Sequence, residues 1–203
     1  MGQPARRVAS VLSGTLLLTG LAGCGGADPK PDASGVPADK YRPATDAATS
    51  APATAPTAAG RTYTLPSSIC AVADLTAITE LYPTFDGKPL ADSSGVCTRF
   101  LRSAKTVVVF TVDPQLAGSA KFGQEFLNTG RRLAKTKTTD LPGVGTDAYW
   151  TVDRYEVKVV TYDGNLILEV SISLPNKGTD ALPADTPQRL GRVANGTFAK
   201  LAR

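Results

Sequence analysis

The sequence predicts an α+β fold, an antiparallel sheet of about five strands with helices packed against it, in a single domain over residues 63–203. Three observations carry this. Asp163-Gly164 sits between two strand-like runs, a two-residue hairpin signal. The five strand-like runs fall in groups joined by short turns, as antiparallel neighbours are. Three stretches with helical spacing stand before, between and after them, giving the order helix, two strands, helix, three strands, helix.

The first helix is expected from Ala71 to about Leu81. Val72, Leu75, Ile78 and Tyr82 recur at helical spacing and Pro83 stops it. Phe85 to Ala91 is a turn-rich connection around Asp86-Gly87. Strands follow at Val96–Arg102 and Thr106–Asp113. Val107-Val108-Val109-Phe110 is apolar on both faces, which suits a central strand, and Asp113-Pro114 is expected to end it.

Gln115 to Ala134 reads as an amphipathic helix whose stripe is Leu116, Ala120, Gly123, Phe126, Leu127, Gly130, Leu133 and Ala134. Leu141-Pro-Gly-Val-Gly145 is a loop, its glycines allowing a tight entry into the next strand. A phosphate cradle would need a strand before it and a helix after it. Strands are expected at Ala148–Val152, Tyr155–Tyr162 and Asn165–Leu174. In the last, Leu166, Leu168, Val170, Ile172 and Leu174 alternate with Ile167, Glu169, Ser171 and Ser173, so one face is buried and the other mostly wet. Thr186 is expected to cap a final helix with Pro187 at its first position, its inner stripe being Leu190, Val193, Ala194, Thr197, Phe198 and Leu201.

The start of the chain reads differently. Arg6 and Arg7 precede an uncharged stretch from Val8 to Gly23, centred on Leu16-Leu17-Leu18. It is too short and too rich in Ser, Thr and Gly for a good membrane span, and has the layout of a cleavable signal peptide over residues 1–23. Ala9 and Ser10 follow the arginine pair where twin-arginine signals favour apolar residues, so the general export route is expected. The exit, Leu21-Ala22-Gly23-Cys24, resembles the lipobox of bacterial lipoproteins. That resemblance implies lipidation of Cys24 and cleavage before it. Two acyl chains, at about 0.8 kcal/mol per buried methylene, anchor stably where one does not.

Residues 24–62 are then the lipidated cysteine and a linker punctuated by Pro29, Pro31, Pro37, Pro43, Pro52 and Pro56, with almost no large apolar residue. Such a segment cannot bury enough surface to offset its ordering entropy. Its relaxed span is roughly 35 Å, enough to lift a domain off a bilayer. Its Ala/Thr/Pro bias resembles lipoprotein linkers of GC-rich Gram-positive bacteria.

Composition limits the chemistry. The formal charge of +4 comes from 22 basic and 18 acidic residues among 203. Arg6 and Arg7 leave with the signal, and the remaining charges are interspersed, which argues against a nucleic-acid partner. The chain has no histidine, so it contains no Ser-His-Asp triad, Cys-His dyad or His-based metal site. No metal and no cofactor are expected.

Few residues stand out as sites. Cys70 and Cys97 are the cysteines left once Cys24 is acylated, and outside the membrane they are expected to form a disulfide; the rival is two free thiols. Tyr149 and Trp150 are adjacent on a strand and face opposite sides, one in the core and one available to stack on a sugar or partner. Arg131 and Arg132, with Lys135 and Lys137, complement the dipole at the end of the second long helix, with contact to anionic wall polymer or lipid headgroups as the alternative. The acid pairs Asp153/Glu156 and Asp140/Asp147 sit near turns, where solvated carboxylates are common. Asn195-Gly-Thr197 matches a glycosylation sequon in letters only.

Ile69-Cys70 opening a helix, Cys97 in the next strand, Asp140-Leu-Pro-Gly-Val-Gly145 leading to Ala148-Tyr-Trp150, and Asp163-Gly-Asn-Leu166 opening a strand together resemble uncharacterised actinobacterial surface lipoproteins. The resemblance covers Ile69 to about Leu174. It implies an extracytoplasmic domain similar in layout to the sensor domains of actinobacterial kinases, and it supplies no catalytic residues. Many members carry Trp near the second cysteine, where this chain has Arg99-Phe100.

The expectation is therefore a lipoprotein anchored through Cys24 on the extracytoplasmic face of the cell membrane. Its domain would bind an envelope ligand, protein partner or cell-wall component without catalysis. The alternatives are a wall-directed hydrolase using carboxylates, and an accessory subunit of a membrane signalling or export complex.

Overall fold

The structure is a computed structural model that describes residues 61–85, 88–174 and 178–202. The signal peptide, Cys24 and the linker up to residue 60 lie outside the described residues. No helix among the described residues is long and apolar enough to cross a membrane.

The fold is α+β, with eight strands among the described residues: β1 (Thr84–Phe85), β2 (Ala91–Asp92), β3 (Cys97–Arg102), β4 (Val107–Leu116), β5 (Thr138–Asp140), β6 (Asp147–Val152), β7 (Glu156–Asp163) and β8 (Leu166–Ser173). The helices are α1 (Thr76–Thr79), α2 (Ala120–Leu133) and α3 (Thr186–Leu201). All pairings are antiparallel, in the order β3-β4-β8-β7-β6-β5, and β1 and β2 share the outer edge of β3. The chain lays down the β3–β4 hairpin, crosses by α2 to the far edge, and meanders back until β8 docks against β4. Four of the expected strands, β3, β6, β7 and β8, fall within one residue of their expected limits, and β4 runs three residues past its expected end. The three additional ones, β1, β2 and β5, are two or three residues long, too short for an alternating pattern to show.

Both faces of the sheet carry apolar side chains. On the inner face Phe110, Val112, Trp150, Val157, Val159, Leu168, Val170 and Ile172 pack beneath α1 and α3, with Ile78, Leu190, Val193, Ala194 and Phe198 facing them. On the outer face α2 sets Leu127 and Phe126 on Tyr149, Val160, Tyr162 and Ile167. This second, smaller cluster is why the last strands are apolar on both faces at one end and polar outward at the other. Gly123 and Gly130 allow α2 to come this close: a Cβ on Gly123 would stand 2.8 Å from the Tyr162 ring, and one on Gly130 would meet the Tyr149 hydroxyl.

Several expectations are corrected. The first helix shrinks to the single turn Thr76–Thr79. Ile69 is held by Ser93, and Asp74 accepts from the Thr76 backbone N–H at 3.2 Å, restarting the chain where a continuous helix would have run. Strand β4 continues through Pro114 to Leu116. Beyond Val112 it has left β3 behind and pairs with β8 alone, so one side is an edge, where a missing N–H is tolerated. The ladder claims Gln115 and Leu116, and α2 starts at Ala120, where the Ser119 hydroxyl accepts from Phe122 N–H at 3.2 Å. Leu116 and Leu133, placed on the buried stripe, are 50 % and 71 % exposed. Thr186 does not cap α3; it is the first helical residue, and its hydroxyl donates to the Pro183 carbonyl at 2.6 Å.

Cys70 and Cys97 form the disulfide, with Cα atoms 4.9 Å apart. It ties the segment before α1 to the start of β3. On the chain-entropy model a loop of this length contributes roughly 3–4 kcal/mol.

Candidate functional site on the open sheet face

Helix α2 covers only one end of the outer face. Strand register shows what lies beside it. Asp113 of β4, Glu169 of β8, Val160 of β7 and Tyr149 of β6 stand in one row across the sheet, at the margin of α2. The next row is Thr98, Thr111, Ser171, Lys158, Thr151 and Thr138, one residue from each of β3, β4, β8, β7, β6 and β5; Ser171 is buried and the other five are half-buried. Beyond it come Phe100, Val109, Ser173 and Glu156.

Charges on this face interact closely. Lys158 Nζ lies 3.3 Å from Glu169 Oε2. Burial works against the Lys158 charge, but Glu169 and Glu156 outweigh it and hold its pKa above the ordinary lysine value. The Asp113 carboxyl is raised by burial and further by the facing Glu169, with Lys158 offsetting part of the effect. Like charges directly opposite in a ladder are destabilising, and the Lys158 ion pair with Glu169 relieves part of that repulsion. The Tyr149 hydroxyl is likewise raised, by burial first and then by Glu169. Between the end of α2 and these strands lies a cavity of about 320 Å³, lined by Phe126, Leu133, Thr151, Glu156, Lys158 and Glu169 among others. Its walls combine apolar surface with a few fixed polar groups, as ligand sites do.

The residues singled out by sequence take other places. Trp150 is 2 % exposed in the inner core and Tyr149 is 5 % exposed beneath α2, because both faces are covered at that point. Neither presents a free ring. Arg131 is occupied: it donates to Asp147 at 2.7 and 2.8 Å, to Asp140 at 3.1 Å and to the Ala148 carbonyl at 3.2 Å, and lies over the Tyr149 ring. It staples α2 to β5 and β6, and it draws the Asp147 pKa below the usual carboxylate range. Arg132 is exposed, near the Thr129 hydroxyl at 3.5 Å. Asp153 closes a hairpin, accepting from the Tyr155 and Glu156 N–H groups at 2.7 and 2.8 Å. Asn195 braces the glycine loop, donating to the Gly143 carbonyl and accepting from Gly145 N–H.

A second polar cluster surrounds the Asp163-Gly164 turn. Buried Asp163 accepts from Arg61, from the Tyr63 hydroxyl and from Thr146. Burial, then the bond to Asp163, pushes the Tyr63 phenol up to about 12. Asn165 exchanges bonds with the Tyr63 backbone. These contacts fasten the first described residues over the turn, where a Cβ on Gly164 would collide with Arg61, and their role is structural.

No group of three or more Asp, Glu or Cys side chains suited to hold a metal ion occurs among the described residues. The outward polar residues of the strands were visible as alternation in the sequence; that six of them align across six strands follows only from register. Compared with family models, curated proteins and solved structures, the chain gives no significant match.

Proposed function

We propose that this chain is an extracytoplasmic lipoprotein, held to the cell membrane by lipid on Cys24, whose domain binds an envelope ligand or partner on its outer sheet face without catalysis. The anchor rests on the signal layout and the Leu-Ala-Gly-Cys exit. The binding role rests on one observation above the others: the Asp113–Glu169 acid pair stands beside a half-buried polar row, with Glu169 lining a cavity of about 320 Å³. The disulfide fits an oxidising compartment outside the membrane.

Two measurements test the two halves. Cys24→Ser should move the protein from the membrane fraction to the soluble one; a variant that still sediments with lipid ends the anchor. In the released Cys24→Ser protein, Asp113→Ala together with Glu169→Ala should abolish retention on isolated cell envelope, and unchanged retention ends the binding role of this face.

A cell-wall hydrolase using carboxylates draws on the same pair, since an acid with a raised pKa beside a second carboxyl suits proton transfer. Binding is preferred because Lys158 already neutralises Glu169 and the pair lies on an open face.

A further inference from the structure

We infer that the outer sheet face is a platform for an extended, uncharged polysaccharide, gripped along the row Thr98, Thr111, Ser171, Lys158, Thr151 and Thr138 by its five half-buried members, Ser171 lying buried between them. This deepens the proposed binding role and rests on it.

Geometry comes first. The six positions belong to six consecutive strands, so they form a line crossing the sheet at right angles to the chain. At about 4.8 Å per strand the line is roughly 24 Å long, enough for several sugar rings in sequence. Four of the five half-buried members are hydroxyls, each able to donate and accept, which matches a ligand whose own surface is hydroxyls. Thr98 and Thr111 already place their oxygens 3.4 Å apart, fixing one step of the line.

Charge comes second. Lys158 is paired with Glu169 and has Glu156 two residues along the same face, so the charges on the row largely satisfy one another. Asp113 binds its proton more readily than a free carboxyl does. A strongly ionic ligand would find no concentrated opposite charge, whereas a neutral polyol finds hydroxyls and carboxyl oxygens.

Apolar surface comes third. Phe100, 36 % exposed and two residues from Thr98, offers a ring at one end of the row, and Leu133 with Phe126 walls the cavity at the other. Ring faces of sugars are apolar and stack on such side chains. The polar row separates these apolar ends, so the face lacks the contiguous apolar patch expected for protein docking.

The test uses the full lipid-modified protein in nanodiscs, titrated with soluble linear neutral polysaccharides: an α-glucan, a β-glucan, a mannan and a galactan. At least one should bind. Thr111→Val with Thr151→Val, which keeps the strands' shape and removes two hydroxyls, should weaken it roughly tenfold or more. Phe100→Leu should weaken it while circular dichroism stays unchanged. Failure of all four glycans to bind, or equal binding by the variants, overturns the inference. In that event benzoylphenylalanine placed at position 111 in cells separates the two levels. A crosslink to a protein removes the glycan and leaves the face as a binding surface; no crosslink removes both.

Discussion

Asp113 and Glu169 face each other directly across the β4–β8 ladder, on the side of the sheet that α2 leaves open. Burial of Asp113, with Glu169 adding to it, gives this face a pH dependence. Burial and Glu169 raise the Asp113 pKa, so the folded protein holds that proton at a pH where the unfolded chain has released it. The contribution is most favourable below the unfolded value and is lost as pH rises through the folded one. Asp113→Asn should therefore stabilise the protein at neutral pH by a few tenths to about 1 kcal/mol, an effect that vanishes in acid. Urea midpoints at pH 3 and pH 7 check it, and a variant less stable at pH 7 would contradict it.

Arg131 works with the opposite sign. Its hydrogen bonds lower the Asp147 pKa, giving stability that is present above the unfolded carboxylate value and lost as pH falls through the folded one. Arg131→Met should cost about 1–3 kcal/mol at neutral pH and flatten the acid limb of the stability profile. A surface anion-binding arginine would show neither change.

The glycines of α2 supply a test of how closely that helix lies on the sheet. Alanine normally improves a helix by about 1 kcal/mol over glycine. At Gly130 the added methyl meets the Tyr149 hydroxyl, so Gly130→Ala should instead destabilise by about 1–3 kcal/mol. Gly118, just before α2 and with nothing within 4 Å of an added Cβ, is the control. Gly118→Ala should be neutral or stabilise by up to about 1 kcal/mol. Thermal unfolding of the two variants should shift in opposite directions, or at least not together.

Removing the bridge with Cys70→Ala and Cys97→Ala should cost about 2–5 kcal/mol. Because the loop it closes carries β1 and β2, the loss should expose the outer edge of β3 first. Hydrogen exchange at β3 amides, compared with β7, reads this.

Leu127 is the one side chain of α2 with no exposure, and it pins that helix to the second cluster. Leu127→Ala should cost about 2–5 kcal/mol and raise Tyr149 and Tyr162 exposure, visible by tyrosine fluorescence quenching.

The sequence by itself determined the local periodicities. Alternation in Leu166 to Leu174, the Asp163-Gly164 turn and the 3.6-residue stripe of the last helix are short-range signals, and the strands and α3 follow them closely. The lipobox and the uncharged leader are likewise local patterns, read as they stand. Tertiary structure decided what is non-local. Whether Tyr149 is free or buried depended on α2 crossing over it, which no residue near Tyr149 encodes. The length of β4 past Pro114 depended on β3 ending opposite Val112. The polar row across six strands, and the meeting of Asp113 with Glu169, arise from register between segments far apart in the chain. Register is set by the packing of both sheet faces at once, and so it cannot be read from any one segment.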